Sequence, residues 1–236
     1  MKTINFKFAL GILSLALVTS CNKDEVTNGQ AISEQEIAEV VINSISKETD
    51  GLVTQVEKAI EMANSSTLTC SQSDSANFSS SNSIGSAIIY STSYNWNWIY
   101  NCNGTVPDNI TYNFSGNSSY DTPRMSSNDT DDYQLVVSNL DPLQSNFIVN
   151  ESFARQGTQV SKVQNQYSFT SSIITNSTNI NVSKTTGRIM SGEILVQINA
   201  TSTSGNSLQS SGTLTFLGNN AARLTLLNGN IYNFNW

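Results

Sequence analysis

The sequence predicts a mainly β protein: an N-terminal helix or helix pair packed on a curved antiparallel up-and-down β-meander. Three observations carry this reading. Apolar residues recur at helical spacing before residue 64 and at a period of two after it. Turn dipeptides separate the alternating runs at short intervals. The only prolines, Pro107, Pro123 and Pro142, all precede residue 145, so the C-terminal part contains no proline to break a strand.

Residues 21–32 read as a polar tether. Ser33 has the character of a helix N-cap, and Glu36 three residues later completes a capping box. Ile37, Val40, Val41, Ser44 and Ile45 follow at helical spacing. Thr49-Asp50-Gly51 breaks or bends the pattern, and Leu52, Val53, Val56, Ala59, Ile60 and Ala63 resume it. The helical segment is therefore 33–63, as two helices or one kinked helix. Nine acidic and three basic residues lie between Asn22 and Ala63, which places most of the net charge on an outward helical face.

Residues 64–236 read as one antiparallel β domain. The stretch 71–83, rich in serine, reads as an exposed loop. Further on, Tyr167, Phe169, Ser171 and Ile173 alternate with polar residues, as do Ile194, Val196, Ile198 and Ala200, then Leu214 and Phe216, Leu224 and Leu226, and Tyr232, Phe234 and Trp236. Asn103-Gly104, Gly116-Asn117, Thr186-Gly187, Gly205-Asn206, Gly218-Asn219-Asn220 and Asn228-Gly229 are the turn signals. Short connections force antiparallel neighbours, giving roughly ten to twelve strands in a meander with the helices over its apolar face.

Before the tether, Lys2 and Lys7 precede an apolar run from Phe8 to Val18. The run is too short for a membrane span, which needs roughly 20 residues, and reads as the core of a signal peptide, 1–20. Leu17-Val18-Thr19-Ser20-Cys21 resembles the bacterial lipobox. That resemblance implies that Cys21 is the first residue of the mature protein and carries acyl chains such as palmitate. Each buried CH2 contributes about 0.8 kcal/mol, so two or three chains make a lasting membrane anchor. Lys23, Asp24 and Glu25 resemble the surface-export signal of lipoproteins from the Bacteroidetes group. The stretches Thr185–Gly192 and Gly212–Asn220, with Ile231–Phe234, are similar to the C-terminal part of uncharacterised lipoproteins of that group. The expected location is the outer membrane, lipid-anchored, at the cell surface. The resemblance implies no activity.

The chain has 11 basic and 18 acidic residues; without Lys2 and Lys7 the balance is −9. This argues against nucleic acid as a partner, which calls for clustered Lys and Arg. There is no histidine, which excludes Ser-His-Asp and Cys-His catalysis and removes the commonest metal ligand. No dinucleotide or phosphate loop occurs, so no cofactor is expected. Asn128-Asp129-Thr130-Asp131-Asp132 has oxygen ligands suited to calcium but lacks the glycine and downstream glutamate of a calcium loop. It reads as an acidic solvated turn, and no metal site is expected.

Cys70 and Cys102 are the two cysteines left after Cys21. A compartment outside the inner membrane permits one disulfide between them, the alternative being two separate buried thiols. Trp96, Trp98 and Tyr100 share one face of a strand with Tyr94 and Cys102. They are candidates either for a sugar-stacking platform or for the core. Asp74-Ser75-Ala76 resembles the short O-glycosylation sequence of exported Bacteroidetes proteins, which makes Ser75 a candidate acceptor. A non-catalytic binding or structural role follows, with a glycan, an apolar small molecule or an envelope protein as partner in addition to the membrane. A helix-covered curved sheet is similar in outline to the half-barrel lipoprotein carriers of the LolA/LolB type, which hold acyl chains between helix and sheet. The alternative is an extracellular polymer hydrolase using paired carboxylates among Asp121, Asp129, Asp131, Asp132 and Glu151. Glycosidase chemistry would set such a pair about 5 Å or 6.5–9.5 Å apart across a cleft.

Overall fold

A computed structural model describes residues 31–65, 69–82, 85–163 and 166–236. The expected signal peptide, the expected lipidation site Cys21 and the export-like Lys23-Asp24-Glu25 lie outside the described residues. Helix α1 spans Glu34–Ile45 and α2 spans Leu52–Ser65. The strands are β1 (Ser73–Ser81), β2 (Ile89–Asn103), β3 (Val106–Asp121), β4 (Met125–Ser138), β5 (Asn146–Ser161), β6 (Ser168–Ser183), β7 (Ile189–Ser202), β8 (Ser207–Gly218), β9 (Ala221–Leu226) and β10 (Ile231–Asn235).

The capping box forms as its residues dictate. Ser33 Oγ accepts from Glu36 N–H, and Glu36 Oε2 accepts from Ser33 N–H. The chain breaks between the helices because Asp50 adopts the left-handed region and Gly51 passes close to α1. A Cβ on Gly51 would stand 2.5 Å from Ser44 O. The result is two helices, the second running two residues beyond Ala63.

The ten strands pair in sequence order, every neighbour antiparallel, in one sheet that does not close. The inner face carries the alternating apolar residues, and the helix pair is sunk into it. Ile37, Val41, Ile45, Leu52, Val53, Val56 and Ile60 are fully buried, in one hydrophobic cluster with the inner sheet residues. Burying one such side chain contributes about 1.5–3 kcal/mol, so the sheet and the helices hold each other. The expected outward charged face of the helices is not found at two positions, because Glu36 and Asp50 are buried. Glu36 bonds Tyr167 OH, and Asp50 accepts from Thr92 Oγ1.

Three further expectations are corrected. Residues 73–81 form β1, an edge strand that hydrogen-bonds along β2 from Ser73↔Ile99 to Ser81↔Ser91, where an exposed loop was expected. Gly116-Asn117 lies inside β3 and is no turn. A Cβ on Gly116 would stand 2.0 Å from Ser93 O and 2.8 Å from Tyr94 Cδ1, so this glycine marks a close approach. Asn128–Asp132 lies in the middle of β4 and is not a solvated turn. Cys70 and Cys102 form the disulfide, with Cα atoms 5.6 Å apart, and it ties the chain entering β1 to the end of β2.

Candidate functional site

The aromatic row belongs to the core. Tyr94, Trp96 and Tyr100 face inward and are buried. The Trp96 ring stacks on Phe114 with centroids 3.9 Å apart, Phe114 on Tyr133 at 4.3 Å, and Tyr133 on Phe153 at 4.3 Å. The stack crosses β2, β3, β4 and β5 at one register level. Trp98 is only partly buried and packs beside Tyr112. Trp96 and Tyr100 therefore cannot serve as a stacking platform, because their ring faces are covered by protein.

The acidic run places Asp129 and Asp131 on the inner face of β4 and Asn128, Thr130 and Asp132 on the outer one. Directly opposite Asp131 stands Arg155 of β5. Arg155 Nε donates to Asp131 Oδ1 at 2.6 Å, and its Nη1 lies 3.9 Å from Asp129 Oδ2. Tyr94 OH donates to Asp131 Oδ2 at 3.0 Å. Ser127 Oγ and Gln159 Nε2 donate to Asp129, at 2.7 and 3.0 Å. All three side chains are buried, two carboxyl groups facing one guanidinium. Burial holds the Asp129 carboxyl above the usual range, against the pull of Arg155 and Ser127. Arg155 and Gln159 did not emerge from the sequence, nor did Gly157, which faces Asp129 across the β4–β5 pairing. A signal for Arg155 existed: Phe147, Val149, Glu151 and Phe153 alternate inward, and Arg155 continues their phase.

Glu151 lies elsewhere on the inner face. Its Oε2 accepts from Thr175 Oγ1 at 3.1 Å. Burial outweighs the hydrogen bonds from Thr175 and Ser177 and pushes its carboxyl up to about 7. Asp121 pairs with Lys162 near the surface. The five carboxylates are thus not brought to one cleft. The close pair, Asp129 and Asp131, is occupied by Arg155 and shut off from solvent, which leaves no room for the sugar or water of a glycosidase. Among the described residues no group of three or more Asp, Glu, Cys or His could hold a metal ion. Ser75 is exposed on β1, with its N–H donating to Asp74 Oδ1.

The outer face is of a different kind. The outward Ser91, Ser93, Asn117, Ser119, Asn128, Thr130 and Gln156 line a shallow groove of about 500 Å3 across β2–β5, to which the inward-facing Asp129 also contributes. A second groove of about 520 Å3 continues from Gln156 across β5–β7 to Asn199 and Thr201. Along this strip the accessible groups are hydroxyls and amides, each able to donate and accept, with no charge among these outward side chains.

No protein-family model, no curated protein and no solved structure matches the chain.

Proposed function

We propose that this chain is a non-catalytic envelope lipoprotein, anchored through Cys21, that presents the outer face of its sheet to a neutral, hydroxyl-rich polymer such as a glycan. The observation that carries the reading is the contrast between the two faces. The inner face is filled: helix side chains occupy it and a buried ion cluster and aromatic stack complete it. An acyl chain, as in the half-barrel carriers, has no place there. The outer face carries the continuous strip of hydroxyls and amides. Sugar hydroxyls both donate and accept, and a field of such groups matches them without the desolvation cost of a charge. No described helix is long and apolar enough to cross a membrane, so in this reading the lipid supplies the attachment.

Two measurements test the proposal. Cys21→Ser should abolish acyl-label incorporation and release the protein from the membrane fraction; retained label would overturn the anchor. Migration of the protein in native gels containing neutral polysaccharides should be retarded, and Asn128→Asp with Gln156→Glu should remove the retardation. Polysaccharide-independent migration across a broad panel of neutral polymers would overturn the glycan reading.

A further inference from the structure

Strand β8 is longer than the strand that covers it. From Gly212 onward it pairs with β9, whereas Ser207–Ser211 pairs only with β7. Leu227 N–H donates to Ser211 O at 2.9 Å, so the main chain of Ser211 faces the β9 side. Main-chain direction alternates along a strand, so Gln209 turns its N–H and C=O the same way, past the end of β9, where no strand among the described residues pairs with it. Along this half-edge lies a cleft of about 550 Å3. Leu208 and Leu227 give it apolar walls, with Ile37 buried behind them, and Leu227 is 82% exposed. At one wall stands Glu34, the only charged residue that lines it. Asn230, Tyr232 and Asn228 donate to its carboxylate and, Asn230 foremost, favour the ionised form.

We propose that this notch binds an extended peptide segment by strand addition. The peptide main chain pairs with the free edge at Gln209, a large apolar side chain sits on Leu208 and Leu227, and a Lys or Arg meets Glu34. Three features coincide here: unpaired main-chain groups, an apolar cleft beside them and a fixed carboxylate. Main-chain pairing supplies affinity in such recognition and the side-chain pocket supplies choice. Charge decides the occupant. The chain is net negative, so a second copy is repelled while a basic peptide is attracted. The site adjoins the end of the outer strip, where Gln209 pairs with Asn199, but uses other residues and does not depend on the anchor or on glycan binding.

The test uses the purified full chain and a short fluorescent peptide that alternates leucine with lysine, read by anisotropy. N-methylation of the peptide's edge-facing amides should weaken binding about tenfold or more, since each blocks a main-chain bond. Gln209→Pro should do the same while keeping the β7 ladder, because proline is tolerated where the strand N–H points away from its neighbour. Glu34→Gln should weaken the lysine peptide and leave its glutamine analogue unchanged. Thermal melts check that both variants fold; if either does not, the N-methylated peptide on the parent protein decides. The proposal is overturned if the peptide does not bind, if N-methylation leaves affinity intact, or if the notch instead mediates a dimer that Gln209→Pro abolishes.

Discussion

The carboxylate of Asp129 lies across the Cα of Gly157, its partner on the neighbouring strand. A Cβ built on Gly157 would stand 1.8 Å from Asp129 Oδ1 and 2.6 Å from Asn128 O. Glycine in a strand interior usually weakens the strand, and its replacement by alanine usually stabilises through the unfolded chain. Here the sign reverses, because the added methyl must displace a buried, hydrogen-bonded carboxylate. Gly157→Ala should lower the unfolding free energy by about 2–4 kcal/mol. Urea denaturation of the purified variant measures this, and an unchanged or raised midpoint would contradict the packing.

Arg155 is the counter-charge for two carboxylates with no access to water. Arg155→Leu leaves both unpaired and should cost about 3–5 kcal/mol at neutral pH. The cost should shrink towards pH 4, because the buried orphaned carboxylates take up protons in the folded chain and no longer bury an unpaired charge. Arg155→Lys should recover only part of it, since an ammonium cannot reproduce the guanidinium geometry between Asp131 and Asp129. Parallel denaturation curves at two pH values separate the charge effect from a simple packing loss, which would not vary with pH.

The alternation that predicted the sheet explains why this cluster was not visible from the sequence. Where one phase is apolar, as in Ile194-Val196-Ile198, the period of two shows which side faces inward. In β4 the inward phase is apolar only at its ends, Met125 and Tyr133-Leu135-Val137; between them Asp129 and Asp131 face in while Asn128, Thr130 and Asp132 face out, and this polar middle has the composition of a turn. The same holds for β1, where Ala76 and Phe78 are the only apolar residues in a run of serines and a single edge pairing holds the strand. Gly116 failed for another reason: beside Asn117 it has the composition of a turn, and only the tertiary approach of Tyr94 shows why a glycine stands in a strand. The capping box, the helix break at Asp50-Gly51 and the Asn228-Gly229 hairpin turn were legible because each depends on residues close in sequence. The inward phase of Asp129, Asp131 and Arg155 is carried by their own strands, but their meeting depends on register between β4 and β5, which no local signal carries.

Glu151 should make stability fall as pH rises. Its carboxyl titrates near 7 in the folded chain, raised by burial, against 4.5 as the ordinary value. Below 4.5 both states are protonated and the group is neutral in its effect. Between 4.5 and 7 the unfolded chain ionises while the folded chain keeps its proton, so unfolding is favoured with each rise in pH. Above 7 the loss is complete, about 3 kcal/mol at 1.36 kcal/mol per pH unit. Glu151→Gln removes this contribution. The variant should match the parent near pH 4 and exceed it at pH 8, and the difference between the two curves isolates Glu151 from Asp129 and Asp50, whose carboxyls burial also raises. Equal stability of parent and variant at pH 8 would contradict this.

The Cys70–Cys102 bridge closes a loop of 32 residues in sequence separation and contains the whole of β1. In the chain-entropy model such a crosslink contributes roughly 3–4 kcal/mol by restricting the unfolded chain. β1 has one neighbour strand and no second one, so its own pairing is the least supported in the sheet's first half. Replacing both cysteines by serine should therefore act in two ways. Global stability should fall by roughly 2–4 kcal/mol, and hydrogen exchange at β1 should accelerate more than at β4 or β5, since the edge strand can open without the rest. Opening would uncover the Trp96 edge that Phe78 now meets at 5.7 Å, so tryptophan emission should shift to the red under conditions where the other strands remain protected. In the unsubstituted chain, thiol labelling after unfolding without reductant should find neither Cys70 nor Cys102 reactive. Uniform acceleration of exchange across all strands would mean that the bridge stabilises the fold as a whole and that β1 has no separate opening.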